Sequence, residues 1–362
     1  MKRFIIAGGG TGGHIFPAIA IANAIKRVSP DATFLFIGAK GKMEMEKVPQ
    51  AGYEIEGLTI AGFNRSSLIK NIGLPIKLLK SFFQVSRIMK NFKPDAVIGV
   101  GGYSSFPVLR YAQAKGIPTF IHESNSFAGK SNIILGKKAT KIFTATDGMQ
   151  EFFPAEKILI TGNPVRQVIV SNLINKVEAL NHFGLSTSKK TILCVGGSLG
   201  AKSINEAISK DIEMISSNNL QLIWQTGKPY LSLAIEKCKG LSNVYVNDFI
   251  TKMEYAYAAA DIVISRSGAM AIAELSIVGK PVIFVPYPFA AEDHQTFNAK
   301  KLVEKSAAIM VEDKQAVEKL LPATIELAKD EAMQKKMIEN IGKLKMTEAD
   351  NIIATEILKN IN

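Results

Sequence analysis

The chain has 362 residues, more than one ordinary hydrophobic core holds, so we expect two domains. Hydrophobic residues make up 47% and charged residues 21%, which is typical of a globular protein. The two cysteines, Cys194 and Cys238, argue against a disulfide framework and suit a reducing cytoplasm. Gly8 interrupts the apolar N-terminal run before it reaches signal-peptide length, and no later run is long enough to cross a membrane.

The formal net charge of +12 lies almost entirely in the first half, which carries +11 through Pro164. Residues 57–94 contain no acidic residue. The cations of this basic stretch are Arg65, Lys70, Lys77, Lys80, Arg87, Lys90 and Lys93, and the apolar residues between them are Leu68, Ile69, Ile72, Leu74, Ile76, Leu78, Leu79, Phe82 and Phe83. This pattern predicts a surface for anionic lipid headgroups. The alternatives are a core helix with a solvated basic face and a nucleic-acid site, although no nucleic-acid motif accompanies the charge.

Strand and helix patterns alternate through the first half. We predict strands at residues 4–7, 33–37, 96–100, 119–122 and 141–144, with helices such as 17–28 and 43–51 between them. Such alternation indicates a parallel sheet covered by helices on both faces. Ligands of these sheets bind beyond the carboxyl ends of the strands, so the loops there are the first place to seek a site.

The first of these loops reads GGGTGGH at residues 8–14. Glycines allow a ligand to approach the backbone, and the amides of a helix's first turn lack partners within the helix. The loop therefore predicts an anion site, usually for phosphate, and the alternative is a turn that merely packs the helix on the strand. His14 adds a titratable group at the edge of the loop.

Two further loops follow predicted strands and are expected at the same edge. GGYSS at residues 101–105 contains Tyr103, and HESN at residues 122–125 contains Glu123 and Asn125. Each loop alone could be an ordinary polar connection. Their convergence with the glycine loop favours a site.

The second half repeats this organisation. The turn residues TGNPVR at 161–166 suggest the approach to a linker, and a strand then runs into GGSLGAKS at residues 196–203. Further strands are predicted at residues 221–224, 244–246, 262–265 and 282–285, and residues 326–361 have helical periodicity. We therefore predict an N-terminal domain at residues 1–164, a linker at 165–189, a C-terminal domain at 190–345, and a last helix at 346–362 that packs back on the first domain.

An acidic group appears within SRSGAMAIAE at residues 265–274. The glycine turn and the helix that follows it offer free amides to a diphosphate. Glu274 lies one turn further along, where its carboxylate could accept hydrogen bonds from two ribose hydroxyls. Alone, such a glutamate is more often solvated surface. The loop at residues 293–298 adds amide and imidazole groups, Gln295 among them.

The first loop also satisfies the dinucleotide fingerprint, through Gly8, Gly10 and Gly13. That fingerprint requires a carboxylate near the end of the second strand, and the predicted strand ends without one. NAD is therefore disfavoured, whereas Lys40 and Lys42 leave NADP open. Neither zinc-ligand spacing nor a nucleophile elbow is present.

Seven motifs in this order and spacing resemble the bacterial N-acetylglucosaminyltransferases of peptidoglycan synthesis, the MurG family. The motifs are GGGTGGHIFPA, GGYSSFP, HESN, GNPVR, GGSLGA, SRSGAMAIAE and DHQTFNA, and they span almost the whole chain. The resemblance implies an α/β fold of the GT-B type, in which two doubly wound, Rossmann-like parallel-sheet domains face each other across a cleft. It implies inverting transfer of N-acetylglucosamine from UDP-N-acetylglucosamine to the C4 hydroxyl of undecaprenyl-diphospho-N-acetylmuramoyl-pentapeptide. It also implies a peripheral enzyme on the cytoplasmic face of the inner membrane.

By motif, the resemblance implies donor contacts at Thr11, Gly12, Gly13, Asn125, Arg166, Ser198, Ile250, Glu274 and Gln295. The family often has glutamine where this chain has Ser124, to which we assign no role.

The residue types suit this chemistry without a metal or other cofactor. As UDP leaves, the amides of Ser198, Ala269 and Met270, with Arg166 as a cation, could stabilise the diphosphate. The acceptor hydroxyl needs a base, and His14 is the first candidate because the positive end of its helix favours neutral imidazole. The same loop could instead use His14 to bind phosphate, and Glu123 and Tyr103 are rival bases.

Three other functions remain open from the sequence. They are a sugar-nucleotide 2-epimerase, a nucleotide-sugar-binding module that docks on a membrane partner, and an NADP oxidoreductase. The basic stretch favours a lipid-linked acceptor over the epimerase. His14 together with paired glycine loops favours catalysis over binding alone.

Overall fold

The computed structural model describes residues 1–62, 73–171, 173–290 and 293–361. These residues form two compact units: Met1–Arg166 with Met346–Asn362, and Gln167–Lys345. Five residues of the basic stretch, Arg65, Leu68, Ile69, Lys70 and Ile72, lie outside the described residues.

Strands and helices alternate along both units. The strands are β1 (Arg3–Ala7), β2 (Thr33–Ala39), β3 (Glu54–Leu58), β4 (Ala96–Gly99), β5 (Thr119–Glu123), β6 (Lys141–Thr144), β7 (Ile158–Ile160), β8 (Lys190–Val195), β9 (Leu220–Gln225), β10 (Val244–Asn247), β11 (Ile262–Ser265), β12 (Val282–Phe284) and β13 (Ile309–Met310). The helices are α1 (Gly12–Val28), α2 (Glu44–Gln50), α3 (Leu74–Phe92), α4 (Ser105–Ala114), α5 (Lys130–Gly136), α6 (Gln167–Val170), α7 (Lys176–His182), α8 (Lys202–Lys210), α9 (Glu213–Ser217), α10 (Leu231–Lys237), α11 (Met253–Ala259), α12 (Ala269–Val278), α13 (His294–Glu304), α14 (Ala316–Lys329), α15 (Glu331–Gly342) and α16 (Ala349–Lys359).

The first unit is built on a parallel sheet with the order β3-β2-β1-β4-β5-β6-β7. Side chains alternate between its faces, as they must in a strand. Phe4 and Ile6 of β1 belong to a core that includes residues of α1 and α16, whereas Ile5 and Ala7 belong to a core that includes residues of α3, α4 and α5. This confirms the predicted doubly wound sheet, with a hydrophobic core on each face.

The second unit repeats the arrangement with the order β10-β9-β8-β11-β12-β13, again in parallel. Its largest buried side chain is that of Trp224 on β9, whose indole N–H donates to the Asn205 side chain at 3.0 Å. Cys194 is completely buried in β8, and burial raises the pKa of its thiol. The predicted fold class of two parallel-sheet, Rossmann-like domains is therefore confirmed.

Three strands escaped the sequence analysis: β3, β7 and β13. All three lie at an edge of a sheet, where a strand pairs on one side only. β3 carries the exposed carboxylates Glu54 and Glu56, and β13 has only two residues. A short or half-exposed strand lacks the continuous apolar pattern that identifies a buried one.

The segment expected as a linker, residues 165–189, contains α6 and α7 and belongs to the second unit from Gln167 onward. Asn175 caps α7 by accepting the Glu178 N–H at 2.9 Å. The helix is also tied to α11, because the Tyr255 hydroxyl donates to the Glu178 carboxylate at 2.8 Å. These side-chain contacts hold α7 within the second unit.

The helical C-terminal region, residues 326–361, is divided among the end of α14 and the helices α15 and α16. Asp330 separates the first two and caps α15 by accepting the Met333 N–H at 2.8 Å. α16 returns to the first unit, where Ile353 and Ile357 are completely buried beside α1. Among the described helices, none is both long and apolar enough to span a membrane.

Candidate functional site

The first glycine loop, residues 8–13, connects β1 to α1 at the carboxyl edge of the first sheet. The Gly8 N–H continues the sheet by donating to the Ile37 carbonyl at 3.1 Å. Thr11 is the N-cap of α1 in an extended conformation, and its side chain makes no capping hydrogen bond. The amides of the helix's first turn are thus not covered by a cap, as an anion site requires.

The buried carboxylate of Glu44, at the start of α2, holds this loop from behind. It accepts the Gly10 N–H at 2.9 Å and the Ala39 N–H at 3.0 Å, and only 1% of the residue is exposed. A Cβ on Gly9 would lie 2.4 Å from this carboxyl group, so the loop needs glycine there. Sequence reasoning missed Glu44 because it sought a carboxylate at the end of β2, whereas Glu44 lies five residues further on.

His14 lies on the first turn of α1, and its Nδ1 is 3.0 Å from the Gly9 carbonyl oxygen. A carbonyl oxygen only accepts hydrogen bonds, so we assign the proton of neutral His14 to Nδ1. The lone pair of the imidazole is then on Nε2. This is the form that a general base requires.

The loop after β4 packs directly against the glycine loop. A Cβ on Gly102, which has φ of +84°, would lie 2.5 Å from the Gly9 oxygen, and one on Gly101 would lie 2.8 Å from His14 Nε2. The predicted convergence of these two loops is therefore observed, and both glycines are needed for it. Tyr103 lies beside Gly10. Burial and then the nearby Glu44 charge raise the pKa of its phenol, which makes phenolate less available as a base.

Glu123, at the end of β5, is occupied by hydrogen bonds. Oε1 accepts the backbone and side-chain N–H groups of Asn125 at 3.1 and 3.3 Å, and Oε2 accepts from Gly129 N and Asn132 Nδ2 at 3.1 and 2.8 Å. The residue is 3% exposed. With four donors around it, the carboxylate holds its loop in shape, and its lone pairs are already engaged in hydrogen bonds.

His122 precedes Glu123 and is completely buried. Burial, opposed by a hydrogen bond to the Gly162 backbone, lowers the pKa of His122 to about 4. The imidazole is therefore neutral at pH 7. At the end of the first unit, the guanidinium of Arg166 stacks over Phe16 of α1, 5.1 Å from the ring centroid.

The second glycine loop, residues 196–200, occupies the equivalent position after β8. Ser198 is partly exposed within it, as a ligand contact requires. Gln225, at the end of β9, donates from Nε2 to the Gly197 carbonyl at 2.9 Å and accepts the Ile250 N–H on Oε1 at 2.8 Å. One buried amide thus links the segments of two predicted donor contacts, Ser198 and Ile250.

α12 begins directly after β11, with Ala269 and Met270 in its first turn and Gly268 as an extended N-cap. The neighbouring segments are tied to it: Ser267 Oγ donates to the Gln295 carbonyl at 2.8 Å, and Gln295 Oε1 accepts the Tyr287 N–H at 3.0 Å. Gln295 is therefore fixed beside the N-terminus of α12, where backbone amides attract anions.

Glu274, one turn along α12, is 9% exposed rather than solvated surface. Its Oε2 accepts the hydroxyl of Tyr257, from α11, at 2.9 Å. A carboxylate has four lone-pair sites, so it can accept hydrogen bonds from more than one donor. Sequence reasoning missed Tyr257, since nothing in the sequence links α11 to α12.

Arg266, within the same motif, uses its guanidinium for contacts inside the second unit. Nη1 donates to Asp313 at 2.5 Å and to the carbonyls of Val285 and Pro286 at 2.9 and 3.0 Å, and Nη2 donates to Ser203 at 3.2 Å. Arg266 therefore braces the start of α8 and the loop after β12 behind the site.

Comparison with known proteins gives a consistent result along the chain. Residues 4–144 match the glycosyltransferase family 28 N-terminal domain, and residues 191–353 match its C-terminal domain. The UDP-N-acetylglucosamine--N-acetylmuramyl-(pentapeptide) pyrophosphoryl-undecaprenol N-acetylglucosamine transferase of Phocaeicola vulgatus is 51% identical over 360 residues, which cover 99% of this chain and 96% of the relative.

Solved structures agree. The crystal structure of Acinetobacter baumannii MurG has a TM-score of 0.76 and 28% identity, with 99% of this chain and 100% of that chain covered. A UDP-GlcNAc 2-epimerase from Neisseria meningitidis bound to UDP-GlcNAc has a TM-score of 0.69 at 17% identity, with 99% and 100% covered. The second likeness concerns the fold alone.

Proposed function

Because the chain belongs to the MurG family of UDP-N-acetylglucosamine--N-acetylmuramyl-(pentapeptide) pyrophosphoryl-undecaprenol N-acetylglucosamine transferases, we propose that it catalyses the same transfer. The donor is UDP-N-acetylglucosamine, and the acceptor is the C4 hydroxyl of undecaprenyl-diphospho-N-acetylmuramoyl-pentapeptide. The observation that carries this proposal is the 51% sequence identity to the Phocaeicola vulgatus relative, which extends over 99% of this chain and so includes both units. The chain therefore contains both domains of the family.

We assign proton removal to the first unit. The acceptor oxygen bonds to the anomeric carbon as the bond to UDP breaks, which inverts the configuration, and the hydroxyl proton goes to His14 Nε2. The Nδ1 contact with Gly9 supports this role because it puts the imidazole lone pair on Nε2. Glu123, saturated by donors, and Tyr103, with a raised phenol pKa, are weaker candidates.

We assign donor recognition chiefly to the second unit. The backbone amides of Ser198, Ala269 and Met270 donate hydrogen bonds to the diphosphate. They stabilise it most in the transition state, because its negative charge grows as the bond to the sugar breaks. Glu274 accepts hydrogen bonds from the ribose, the Ile250 segment takes the base, and Gln295 borders the sugar. Arg166 is the added cation, with Thr11, Gly12, Gly13 and Asn125 as the first unit's donor contacts. No step of this scheme calls for a divalent ion.

We further propose that α3 docks the enzyme on the cytoplasmic face of the membrane, where a lipid-linked acceptor lies. Ile76, Leu79 and Phe83 are 62%, 62% and 72% exposed, and their spacing puts them on one face of the helix. Lys80 and Arg87 are exposed on the same face, opposite buried Val85 and Ile88. Exposed apolar side chains among cations suit an anionic lipid surface, not a solvated face or nucleic acid.

One incubation tests the activity. Purified protein is given UDP-N-acetylglucosamine labelled in the sugar, with and without lipid-linked muramoyl-pentapeptide, and the labelled product is identified. We expect label in the lipid fraction only when the acceptor is present. A rearranged UDP-sugar formed without acceptor would instead establish an epimerase, and donor binding without any product would leave a binding module.

A further inference from the structure

In the first glycine loop, the contact between His14 and Gly9 continues to a buried carboxylate that the proposed function does not use. The Gly9 carbonyl and the Gly10 N–H belong to one peptide group, and that peptide is trans. On one side its N–H donates to the buried Glu44 carboxylate at 2.9 Å. On the other side its carbonyl accepts from His14 Nδ1 at 3.0 Å. A carboxylate and an imidazole therefore share the two ends of a single peptide dipole.

We propose that Glu44 is a positioning residue for His14 and acts on it through the Gly9–Gly10 peptide. This inference rests on the proposed role of His14 as base. In a direct carboxylate–histidine pair, the carboxylate accepts the imidazole Nδ1–H and stabilises the charge that the ring acquires. Here the peptide stands between them and transmits the same polarity, because its N–H faces the negative group and its carbonyl faces the ring.

The electrostatics of this peptide determine which nitrogen of His14 carries the proton. A carboxylate at the N–H end polarises the peptide and makes its carbonyl a stronger acceptor. The stronger acceptor favours the proton on Nδ1, and hence the lone pair on Nε2. It also stabilises the imidazolium that forms when Nε2 takes a proton.

Packing shows that the loop is built around this contact. Glu44 is 1% exposed, and its second oxygen is held by the Ala39 N–H at 3.0 Å, so the carboxylate cannot turn away. Gly9 leaves room for the carboxyl group, and Gly102 leaves room for the Gly9 oxygen, each at a distance that a Cβ would not allow. Thr11 Oγ1 is 3.5 Å from His14 Nδ1 and is the weaker of the two contacts to that nitrogen.

A double-mutant cycle on the intact enzyme tests the proposal. Turnover at saturating donor and acceptor is measured for wild type, Glu44→Gln, His14→Ala and the double variant, with UDP affinity measured separately. We expect Glu44→Gln to lower turnover about tenfold with little change in UDP affinity, and to have less than a twofold effect when His14 is already alanine. Glu46→Gln, on the same helix but 67% exposed, is the matched control and should match wild type.

Additive effects of the two substitutions would overturn the inference, because Glu44 would then act independently of His14. Full turnover in His14→Ala would show that His14 is not the base, and the inference about Glu44 would fail with it. If His14→Ala loses turnover while Glu44→Gln keeps normal turnover, the role of His14 as base stands and only the inference about Glu44 fails.

A second measurement gives its decisive result on the wild-type protein. The chain has four histidines, and imidazole ¹⁵N chemical shifts of labelled wild-type protein report which nitrogen of each neutral ring carries the proton. We expect the His14 proton on Nδ1 in wild type and a shift toward the Nε2–H form in Glu44→Gln. An Nε2–H tautomer in wild type would overturn the proposal.

Discussion

Single carboxylates organise the candidate sites of both units, and each depends on a partner from another element. Glu44 of α2 holds the first glycine loop, and Glu274 of α12 accepts from Tyr257 of α11. Both carboxylates are buried, and burying a charged group without hydrogen-bond donors would destabilise the fold. The donors both stabilise the charge and fix the direction of the remaining lone pairs.

Glu274→Ala is expected to weaken UDP binding through the ribose. Loss of charge-assisted hydrogen bonds should cost about 1.5–3 kcal/mol for UDP, and clearly less for 2′-deoxy-UDP. Calorimetric titration with both nucleotides checks this. Equal losses for the two would refute the assignment of Glu274 to the ribose hydroxyls.

Tyr257→Phe removes only the hydroxyl that holds Glu274. We expect UDP affinity to fall by about 0.5–1.5 kcal/mol, because the carboxylate loses one donor and its fixed orientation. Tyr255→Phe is the matched control: it lies on the same helix, but its hydroxyl binds Glu178 instead. If both variants bind UDP equally well, the Tyr257 contact does not contribute to recognition.

His122 should make stability depend on pH. The pKa of His122 is lowered to about 4 in the folded protein, against an ordinary value of 6.5. Between these values the unfolded chain binds a proton that the native state excludes, so stability falls as the pH decreases from about 6.5 to 4. The loss from this residue is about 1–3 kcal/mol.

Urea midpoints at pH 7 and pH 5 measure this effect. His122→Asn should lose less stability on acidification than wild type does, whereas exposed His182→Asn should behave as wild type. The same loss in wild type and His122→Asn would show that other groups cause the acid sensitivity.

At the scale of elements, α3 has two faces with different tasks. Ser81, Val85, Ile88 and Met89 are buried, whereas the opposite face exposes both apolar and basic side chains. Packing in the core of the first unit therefore accounts for the residues on only one face of this helix. The exposed half is the part that we propose docks on an anionic lipid surface.

Charge reversal on α3 tests membrane docking. The triple variant Lys77→Glu, Lys80→Glu and Arg87→Glu should bind anionic vesicles more weakly, by about 1 kcal/mol for each cation near the surface. Sedimentation with vesicles at low salt measures the affinity. A control triple with the same charge change, Lys237→Glu, Lys239→Glu and Lys335→Glu, uses exposed positions of the second unit. Equal weakening by both triples would indicate a general charge effect rather than docking by α3.

At the scale of the whole molecule, the chain begins and ends in the same unit. α16 follows the entire second unit, yet it completes the core beside α1. Asp350, 1% exposed, accepts from Arg27 of α1 at 2.6 Å, which ties the two helices as a partly buried ion pair. The stability of the first unit therefore depends on the last residues of the chain.

Two neighbouring isoleucines of α16 test this dependence. Ile353→Ala should lower the free energy of unfolding by about 2–5 kcal/mol, because Ile353 is completely buried. Ile352→Ala, at a position 42% exposed on the same helix, should change it by less than about 0.5 kcal/mol. Urea unfolding measures both. Similar effects of the two substitutions would mean that α16 does not pack as part of the core.

Periodicity and glycine placement determined much of this protein from the sequence alone. The buried central strands, the helices between them and the glycine loops at the carboxyl ends are local features, written in residues that are neighbours in the chain. His14, Ser198 and Glu274 were predicted as site residues for the same reason, since each lies in a short motif next to a glycine turn.

Contacts between residues distant in sequence were decided only by the tertiary structure. Glu44 meets Gly10, Tyr257 meets Glu274, and Gln225 joins Gly197 to Ile250, across separations of 17 to 34 residues. Edge strands such as β3 likewise depend on which neighbours the fold supplies. The physical reason is that a hydrogen bond or a buried contact depends on distance in space, and local residue patterns carry no record of it.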